Sequence, residues 1–234
     1  VKIGVCLKQV PATDTRIKIN ADATGIVTDE VKWEINPYDE FALEAALQLK
    51  EQKVAKEVVL FTIGAKSTEQ RIRDGLARGA DRAVRIDDPA LANTDALGIG
   101  RALAAALQKE EISLVLCGKQ AVDGDNSQVP AIIAESMDCA LVSVISSLEA
   151  DAEGVTASRA MGGGSTHVVK AGYPAVLTAD KGLNTPRFAS LKGIMMAKRK
   201  KIKTYSAGDL GLDAGSLAAV VVESNYSLPP ARPA

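Results

Sequence analysis

Positions 118–130 hold the residues of this chain best suited to binding a charged ligand. They follow an apolar run at 112–117 and precede a segment with helical spacing. In open α/β sheets, ligands bind beyond the carboxyl ends of the strands, where the next helix presents free backbone N–H groups. Asn126 or Ser127 is expected to cap this helix, while Gly118 and Gly124 let the backbone approach a ligand closely. The segment predicts a phosphate site, although a capped helix after a strand also occurs as plain architecture.

Three further features could carry chemistry, and each has a simpler structural explanation. Gly162-Gly163-Gly164-Ser165 lies between two strand-like segments and is typical of a hairpin turn. His167 stands alone, without a nucleophile or acid beside it in the sequence. The five basic residues at 198–203 are typical of a solvated helix end, and 28 Lys and Arg against 29 Asp and Glu give no positive excess. We therefore expect no nucleic-acid partner.

Metal-ligating and nucleophilic residues are too few for the common catalytic sites. The one His excludes the common zinc clusters and most triads that use two His residues. Cys6, Cys117 and Cys139 are far apart and lie among apolar residues, which is typical of reduced core thiols in a cytosol-like compartment. The sequence thus predicts no catalytic residue and no metal site. A nucleotide site without acid–base groups suits a protein that holds a cofactor.

The elements that position the phosphate segment alternate between strands and helices. Apolar runs predict strands at 1–7, 57–63, 83–86 and 112–117, and helical spacing predicts helices at 36–50, 67–79, 94–109 and 126–137. Asn36 and Pro37 are suited to begin the first helix, and Ser67 with Gln70 forms a capping box for the second. This alternation predicts an α/β fold with a doubly wound, mainly parallel sheet.

After position 139 the pattern changes. Strand-like segments at 142–148, 154–161 and 166–169 suit a small antiparallel extension, before a further strand at 174–179. The length of 234 residues suits one large domain, alone or with an appendage. We expect a nucleotide-binding domain at 1–205 and a C-terminal arm at 206–234, whose composition cannot form a core alone. No apolar run reaches the roughly 18 residues of a membrane span, and with no targeting segment the expected location is the cytoplasm.

Several segments together resemble the β subunit of the electron transfer flavoproteins. The matching segments extend from the first residue to about Gly211, in the order and with the spacing of the family. It is carried by Val5-Cys6-Leu7-Lys8-Gln9-Val10-Pro11, by Asn36-Pro37-Tyr38-Asp39-Glu40-Phe41-Ala42-Leu43-Glu44, by Gly118-Lys119-Gln120-Ala121-Val122-Asp123-Gly124-Asp125, and by the segments at 75–82, 174–180 and 186–191.

The resemblance implies a non-catalytic electron carrier subunit with a Rossmann-like, adenine nucleotide α hydrolase-like fold. Such a subunit pairs with an α subunit that holds most of an FAD, and the heterodimer carries electrons from dehydrogenases to an acceptor. The β subunit itself buries AMP, or a second FAD in the electron-bifurcating branch that accepts electrons from NADH. Asp123-Gly124-Asp125 with Gln128-Val129 is similar to the bifurcating or nitrogen-fixation-associated branch, so AMP and a second FAD both stay open.

The resemblance also implies the residues of the nucleotide site. By matching motif, the adenosine is expected near Cys6, Asn36 and Ile63. The phosphate is expected against the loop after the strand, closest to its second half. The loop residues carried over are Gly118, Lys119, Gln120, Ala121, Val122, Asp123, Gly124, Asp125, Asn126, Ser127, Gln128 and Val129.

Leu191 matches the leucine by which the family anchors a dehydrogenase. Without that match, it would be interpreted as a buried helix residue. One exposed apolar side chain in a partner pocket gives a small, short-lived interface, which suits a carrier that visits acyl-CoA or other flavin dehydrogenases. Outside this family, the alternative is a stand-alone adenine-nucleotide-binding module of the universal-stress or ATP-pyrophosphatase type.

Overall fold

The computed structural model describes residues 1–223 and 225–230, in which three strands precede the first helix and single strands then alternate with helices up to the fourth helix. The strands are β1 (Lys2–Cys6), β2 (Gln9–Pro11), β3 (Trp33–Ile35), β4 (Glu57–Ile63), β5 (Arg82–Ile86), β6 (Leu114–Gly118), β7 (Ala140–Ala150), β8 (Gly154–Ala160), β9 (Thr166–Gly172), β10 (Ala175–Ala179) and β11 (Ile202–Tyr205). The α-helices are α1 (Pro37–Glu51), α2 (Glu69–Arg78), α3 (Ala96–Lys109), α4 (Val129–Ser136) and α5 (Leu191–Ala197).

The central sheet has the order β11-β5-β4-β1-β6-β10-β7-β8-β9. Its strands are parallel from β11 to β7, and β8 and β9 extend it antiparallel. A separate antiparallel pair joins β2 to β3. The chain leaves β1 for β4 and β5 on one side and returns to β6 on the other, so the switch point lies between β1 and β6. The predicted fold class, a doubly wound and mainly parallel sheet with an antiparallel extension, is confirmed.

Helices cover both faces of the parallel strands. Side chains from α1, α2 and α5 form one apolar cluster with the sheet, and side chains from α3 and α4 form the other. Successive residues of β4 point to opposite faces, with Leu60 in the first cluster and Val59 and Phe61 in the second. Strands buried on both faces explain why the sequence shows continuous apolar runs there.

Some local predictions were wrong. Ser67 does not cap a helix: Lys66–Thr68 forms a 3₁₀ turn, and α2 begins afterwards without a side-chain cap. The Thr68 hydroxyl donates to the Ala65 carbonyl and stabilises that turn instead. β11 was not predicted, because it lies at the sheet edge beside β5 and its short sequence includes exposed polar residues.

Part of the segment after position 205 lies against α3. Leu217 is buried in the second apolar cluster, and its carbonyl accepts a hydrogen bond from the Thr94 hydroxyl at 2.5 Å. Asp95 Oδ1 caps α3, and its Oδ2 accepts from the backbone N–H groups of Val220 and Val221. The division into a domain at 1–205 and an arm at 206–234 stays a prediction, and positions 224 and 231–234 lie outside the described residues. Among the residues described, no helix has the length and apolar character needed to cross a membrane.

Candidate functional site

The loop that follows β6 lies at the carboxyl edge of the sheet, beside the switch point. It ends at α4, whose first residue is Val129 and whose N-cap position is held by Gln128 without a side-chain cap. The prediction that Asn126 or Ser127 caps this helix was wrong. Asn126 Oδ1 instead accepts a long hydrogen bond of 3.4 Å from Gln128 N, in the turn before the helix. Among the described residues, no side chain caps the first turn of α4, in which Val129 and Ala131 carry N–H groups and Pro130 carries none. The positive end of the helix dipole lies at this turn.

Internal hydrogen bonds brace this loop. Gln120 Nε2 donates to Asp125 Oδ1 at 2.6 Å, and Asp125 N donates to the Ala121 carbonyl at 2.9 Å. Asp125 and Ser127 have positive φ angles of 48° and 53°, so both residues adopt the left-handed conformation, which is uncommon for residues other than glycine. Side chains at 123–128 are exposed. The loop thus holds a defined backbone shape while its outer surface stays open.

Asn36 connects the loop to α1. Its Nδ2 donates to the Gln120 carbonyl at 2.9 Å, and its Oδ1 accepts from Val122 N at 3.2 Å. Asn36 holds the N-cap position as predicted, but its side chain makes no cap hydrogen bond to α1. The buried amide therefore fastens the loop backbone to the start of α1, 84 and 86 positions away in the sequence.

Asp39 joins the two strands of the switch point, a role that its position in the sequence does not predict. Its Oδ2 accepts from Lys8 N at 2.8 Å, just after β1. Its Oδ1 accepts from Gly118 N at 3.0 Å, in β6, and from Asn36 Nδ2 at 2.9 Å. Burial raises the pKa of Asp39 to about 7, although these hydrogen bonds favour the charged form. The sequence signal for this residue is the Asn36-Pro37-Tyr38-Asp39 motif, which also carries part of the resemblance.

Gly118 is required at the end of β6 by close contact with α1. A Cβ atom there would lie 2.4 Å from Asp39 Oδ1 and 2.6 Å from Tyr38 Cβ. Gly124, by contrast, has open space around the position of a Cβ atom. The first glycine is therefore needed for packing beneath the loop, while the second leaves the outer side of the loop unobstructed.

Charged side chains at this edge form pairs. Lys8 Nζ lies 2.7 Å from Asp123 Oδ1, which compensates one of the two acidic residues of the loop. Lys119 Nζ lies 2.9 Å from Asp180 Oδ1, at the end of β10, and 4.9 Å from the centre of the Tyr38 ring. Lys119 thus points along the sheet edge toward β10.

Cys6 and Ile63, carried over as adenosine contacts, end β1 and β4 at the same edge of the sheet. Both side chains are partly buried against the α3–α4 face. Cys6 lies beside Cys117 of β6, since Val5 pairs with Leu116 in the parallel register. A hydrogen bond with Cys6 and burial both raise the pKa of Cys117, so this cysteine stays a neutral thiol. All three cysteines are free.

The edge of the sheet thus brings together Asn36 and the loop residues by direct contact, with Cys6 and Ile63 on neighbouring strands. Backbone N–H groups and a helix N-terminus suit the binding of an anion. Within residues 1–223 and 225–230, no group of His, Cys, Asp and Glu side chains is arranged to hold a metal ion. His167 lies in β9, the edge strand of the sheet, where it pairs with Arg159 of β8; three strands separate β9 from β6.

Leu191 lies at the start of α5 with 83% of its surface exposed. Phe188 is 94% exposed and Met195 is 71% exposed, so three apolar side chains close together in the sequence are exposed to solvent, and we call Phe188, Leu191 and Met195 the apolar patch. The Ser190 hydroxyl accepts from Gly193 N at 3.0 Å and caps the helix. The interpretation of Leu191 as a buried helix residue is excluded by this exposure.

Comparisons with known proteins agree over most of the chain. The family model described as "Electron transfer flavoprotein domain" matches residues 24–210. An electron transfer flavoprotein subunit beta from Bos taurus is 39% identical over 220 residues, which cover 93% of this chain and 86% of the relative. The protein of the same name from Syntrophomonas wolfei is 38% identical over 234 residues, 100% of this chain and 88% of the relative. That from Bradyrhizobium diazoefficiens is 35% identical over 212 residues, 91% of this chain and 84% of the relative.

Proposed function

The chain belongs to the electron transfer flavoprotein family as a β subunit, and on this premise we propose that it binds AMP at the loop after β6. Members of this family are flavin-associated electron carriers rather than enzymes, and a β subunit implies an α subunit as its partner. In the proposed heterodimer, the α subunit holds most of an FAD, which supplies the electron-transfer chemistry. The pair carries electrons from dehydrogenases to an acceptor.

The observation that carries this proposal is the way the loop is held. Asn36 and Asp39 fix its backbone from beneath, while its outer side chains are exposed and α4 begins without a side-chain cap. A phosphate placed there would meet backbone N–H groups already oriented before binding. The residues from Asp125 to Val129 are proposed to lie closest to it.

The adenosine part of the nucleotide is proposed to lie on the strand ends beside the loop. Cys6 and Ile63 offer partly buried apolar surface there, which suits a purine and ribose better than a charged group. The negative charge of Asp123 does not oppose the phosphate fully, because Lys8 pairs with it. The residues present therefore fit an adenine nucleotide.

The test is to identify the nucleotides that the heterodimer retains. The chain is co-expressed with its α subunit, and the purified complex is heat-denatured. Chromatography of the supernatant should yield one FAD and one AMP per heterodimer. A complex that contains FAD but no second adenine nucleotide would contradict AMP binding by this chain and leave its role as a β subunit unchanged.

A second FAD in place of AMP is the other candidate, favoured by the loop pattern Asp123-Gly124-Asp125 with Gln128-Val129. A chain of this kind would form a bifurcating carrier that accepts electrons from NADH. The same chromatography would then give two FAD and no AMP, and NADH would bleach the flavin absorbance. The two candidates thus make opposite predictions for one sample.

Dehydrogenase binding is proposed for the apolar patch at the start of α5. Leu191 is the anchor in this proposal, with Phe188 and Met195 beside it. A patch of this kind can fill a partner's apolar pocket while the contact stays small, so the partner can leave after electron transfer. The partners proposed are acyl-CoA dehydrogenases or other flavin dehydrogenases.

A further inference from the structure

Hydrogen bonds from two cationic side chains link α5, the helix that carries Leu191, to α2. One cation lies on α2 and the other just after α5. Arg73 Nη1, from α2, donates to the carbonyls of Ala197 and Lys200 at 2.6 and 2.7 Å, at the end of α5 and just beyond it. In return, Lys200 Nζ donates to the Leu76 carbonyl at 3.0 Å, in the last turn of α2, and to the Ala80 carbonyl, two residues beyond that helix. The terminal carbonyl groups of each helix are thus satisfied by a cation from the other segment.

The backbones of the two helices also approach each other closely. A Cβ atom on Gly193 would lie 2.2 Å from the Ala77 carbonyl oxygen of α2, so only a glycine allows this contact. Ala197, one turn later, is 2% exposed on the same side of α5. One side of α5 is therefore seated directly on α2, while Leu191 and Met195 are exposed to solvent.

A helix of seven residues needs such support. Isolated helices shorter than about 12 residues are marginal in water, so α5 depends on its contacts with the rest of the chain. A binding surface that is already ordered loses less conformational freedom on association than a flexible one. The contacts between α2 and α5 hold the apolar patch in one geometry before any partner arrives.

We propose that α2 is the support that orients the dehydrogenase-binding patch, with Arg73 and Lys200 as positioning residues. The inference rests on the proposed function, in which the patch around Leu191 contacts the dehydrogenase. It adds that the affinity of this contact depends on residues that do not touch the partner.

The test displaces α5 without removing any charge or apolar side chain. Gly193→Ala introduces a methyl group against the Ala77 carbonyl, and Gly208→Ala is the matched control, since its nearest neighbour would be Ser206 Oγ at 3.9 Å. The readout is flavin reduction in the heterodimer by an acyl-CoA dehydrogenase with its acyl-CoA substrate. We expect Gly193→Ala to raise the KM for the carrier about tenfold with kcat nearly unchanged, while Gly208→Ala matches wild type.

Two measurements separate displacement from loss of folding. FAD content should stay near the wild-type value in Gly193→Ala, and the melting temperature should fall by no more than a few degrees, because the displacement is confined to a helix of seven residues. Where this variant does not give a folded heterodimer, Arg73→Gln removes the hydrogen bonds from α2 and tests the same support. An unchanged KM in a folded Arg73→Gln or Gly193→Ala heterodimer would overturn the inference.

A double-mutant cycle with Leu191→Ala distinguishes this inference from the proposed function. If α2 acts by orienting Leu191, then adding Gly193→Ala to Leu191→Ala should raise the KM much less than it does in the wild-type background. Equal factors in both backgrounds would overturn the orienting role. An unchanged KM in Leu191→Ala, with a raised KM in Gly193→Ala, would refute Leu191 as the anchor and leave the support by α2 intact.

Discussion

The carboxyl group of Asp39 is a buried acid whose charge depends on pH near neutrality. Burial raises its pKa from 3.8 to about 7, and hydrogen bonds from Lys8, Asn36 and Gly118 act in the opposite direction. The native state therefore binds this proton more tightly than the unfolded chain does. The stability that results is complete below about pH 4 and is lost as the pH rises through about 7.

Asp39→Asn should remove this pH dependence, because the amide does not titrate. Between pH 4 and 8, the free energy of unfolding of the wild type should fall by up to about 4 kcal/mol more than that of the variant. Urea unfolding at several pH values measures the difference. Asp123→Asn is the control, since this exposed residue pairs with Lys8 and with Gly124 N, and it should keep the wild-type slope. A wild-type slope in Asp39→Asn would show that another group is responsible.

Substitutions of Asn36 and Asn126 distinguish two roles: holding the loop in place and contacting its ligand. Asn36→Leu leaves Gln120 O and Val122 N without their side-chain partner and should cost about 2–3 kcal/mol of stability. Asn126→Leu removes the long 3.4 Å bond from Gln128 N, at an exposed position, and should cost less than about 1 kcal/mol. Both variants should retain less AMP.

Thermal unfolding and the AMP-to-FAD ratio of the purified heterodimer measure these two effects. FAD content is the internal control, because the α subunit is proposed to hold most of it. Equal stability of Asn36→Leu and wild type would show that the loop is held by other contacts. Full AMP retention in Asn126→Leu would contradict the proposed position of the phosphate at the second half of the loop.

At the scale of elements, the junction of β6 with α1 determines where the loop begins. Gly118→Ala would place a methyl group 2.4 Å from Asp39 Oδ1, so either the strand end or α1 must move. We expect a loss of about 1–3 kcal/mol, the usual cost of overpacking. Gly124→Ala, with open space around it, is the matched control and should unfold like the wild type. Chemical denaturation of both variants tests this, and equal midpoints would contradict the close packing.

Strands were easier to predict than helix caps, for a physical reason. β4 has the predicted bounds, Glu57–Ile63, because burial on both faces leaves a continuous run of apolar residues. A cap depends instead on which hydrogen bond a polar side chain makes among several within reach. Asn126 bonds to the turn before α4, and Thr68 bonds to a 3₁₀ turn. The types of these residues alone did not distinguish such alternatives.

The sequence predicts the position of the candidate site but not the residues that hold its loop in place. The loop after β6 follows from the rule that ligands bind beyond parallel strand ends. Asp39 could not be identified by spacing, because its partners Lys8 and Gly118 lie 31 and 79 positions away. An acidic residue in the first turn of a helix is normally explained by the helix dipole alone. Only the strand order brings these groups together.

At the scale of the whole molecule, the proposed nucleotide loop and the proposed partner surface belong to different parts of the fold. The loop connects β6 with α4, whereas the Leu191 patch is carried by α5 and rests on α2. Arg187 holds the segment before α5 through Glu44 and Glu51 of α1, at distances of 2.8 and 2.5 Å. Changes to the patch should therefore leave nucleotide binding intact.

Leu191→Ala tests this independence in the heterodimer. A central apolar anchor contributes about 2 kcal/mol or more to an interface, so electron transfer from an acyl-CoA dehydrogenase at low carrier concentration should slow about 30-fold. Stopped-flow measurement of flavin reduction gives this rate, and chromatography of the denatured complex should give unchanged AMP and FAD. Val168→Ala is the control, because Val168 is an apolar residue of β9 with 65% exposure, and it should transfer electrons at the wild-type rate. Equal slowing in both variants would mean that general surface hydrophobicity, and not an anchor at Leu191, governs the encounter.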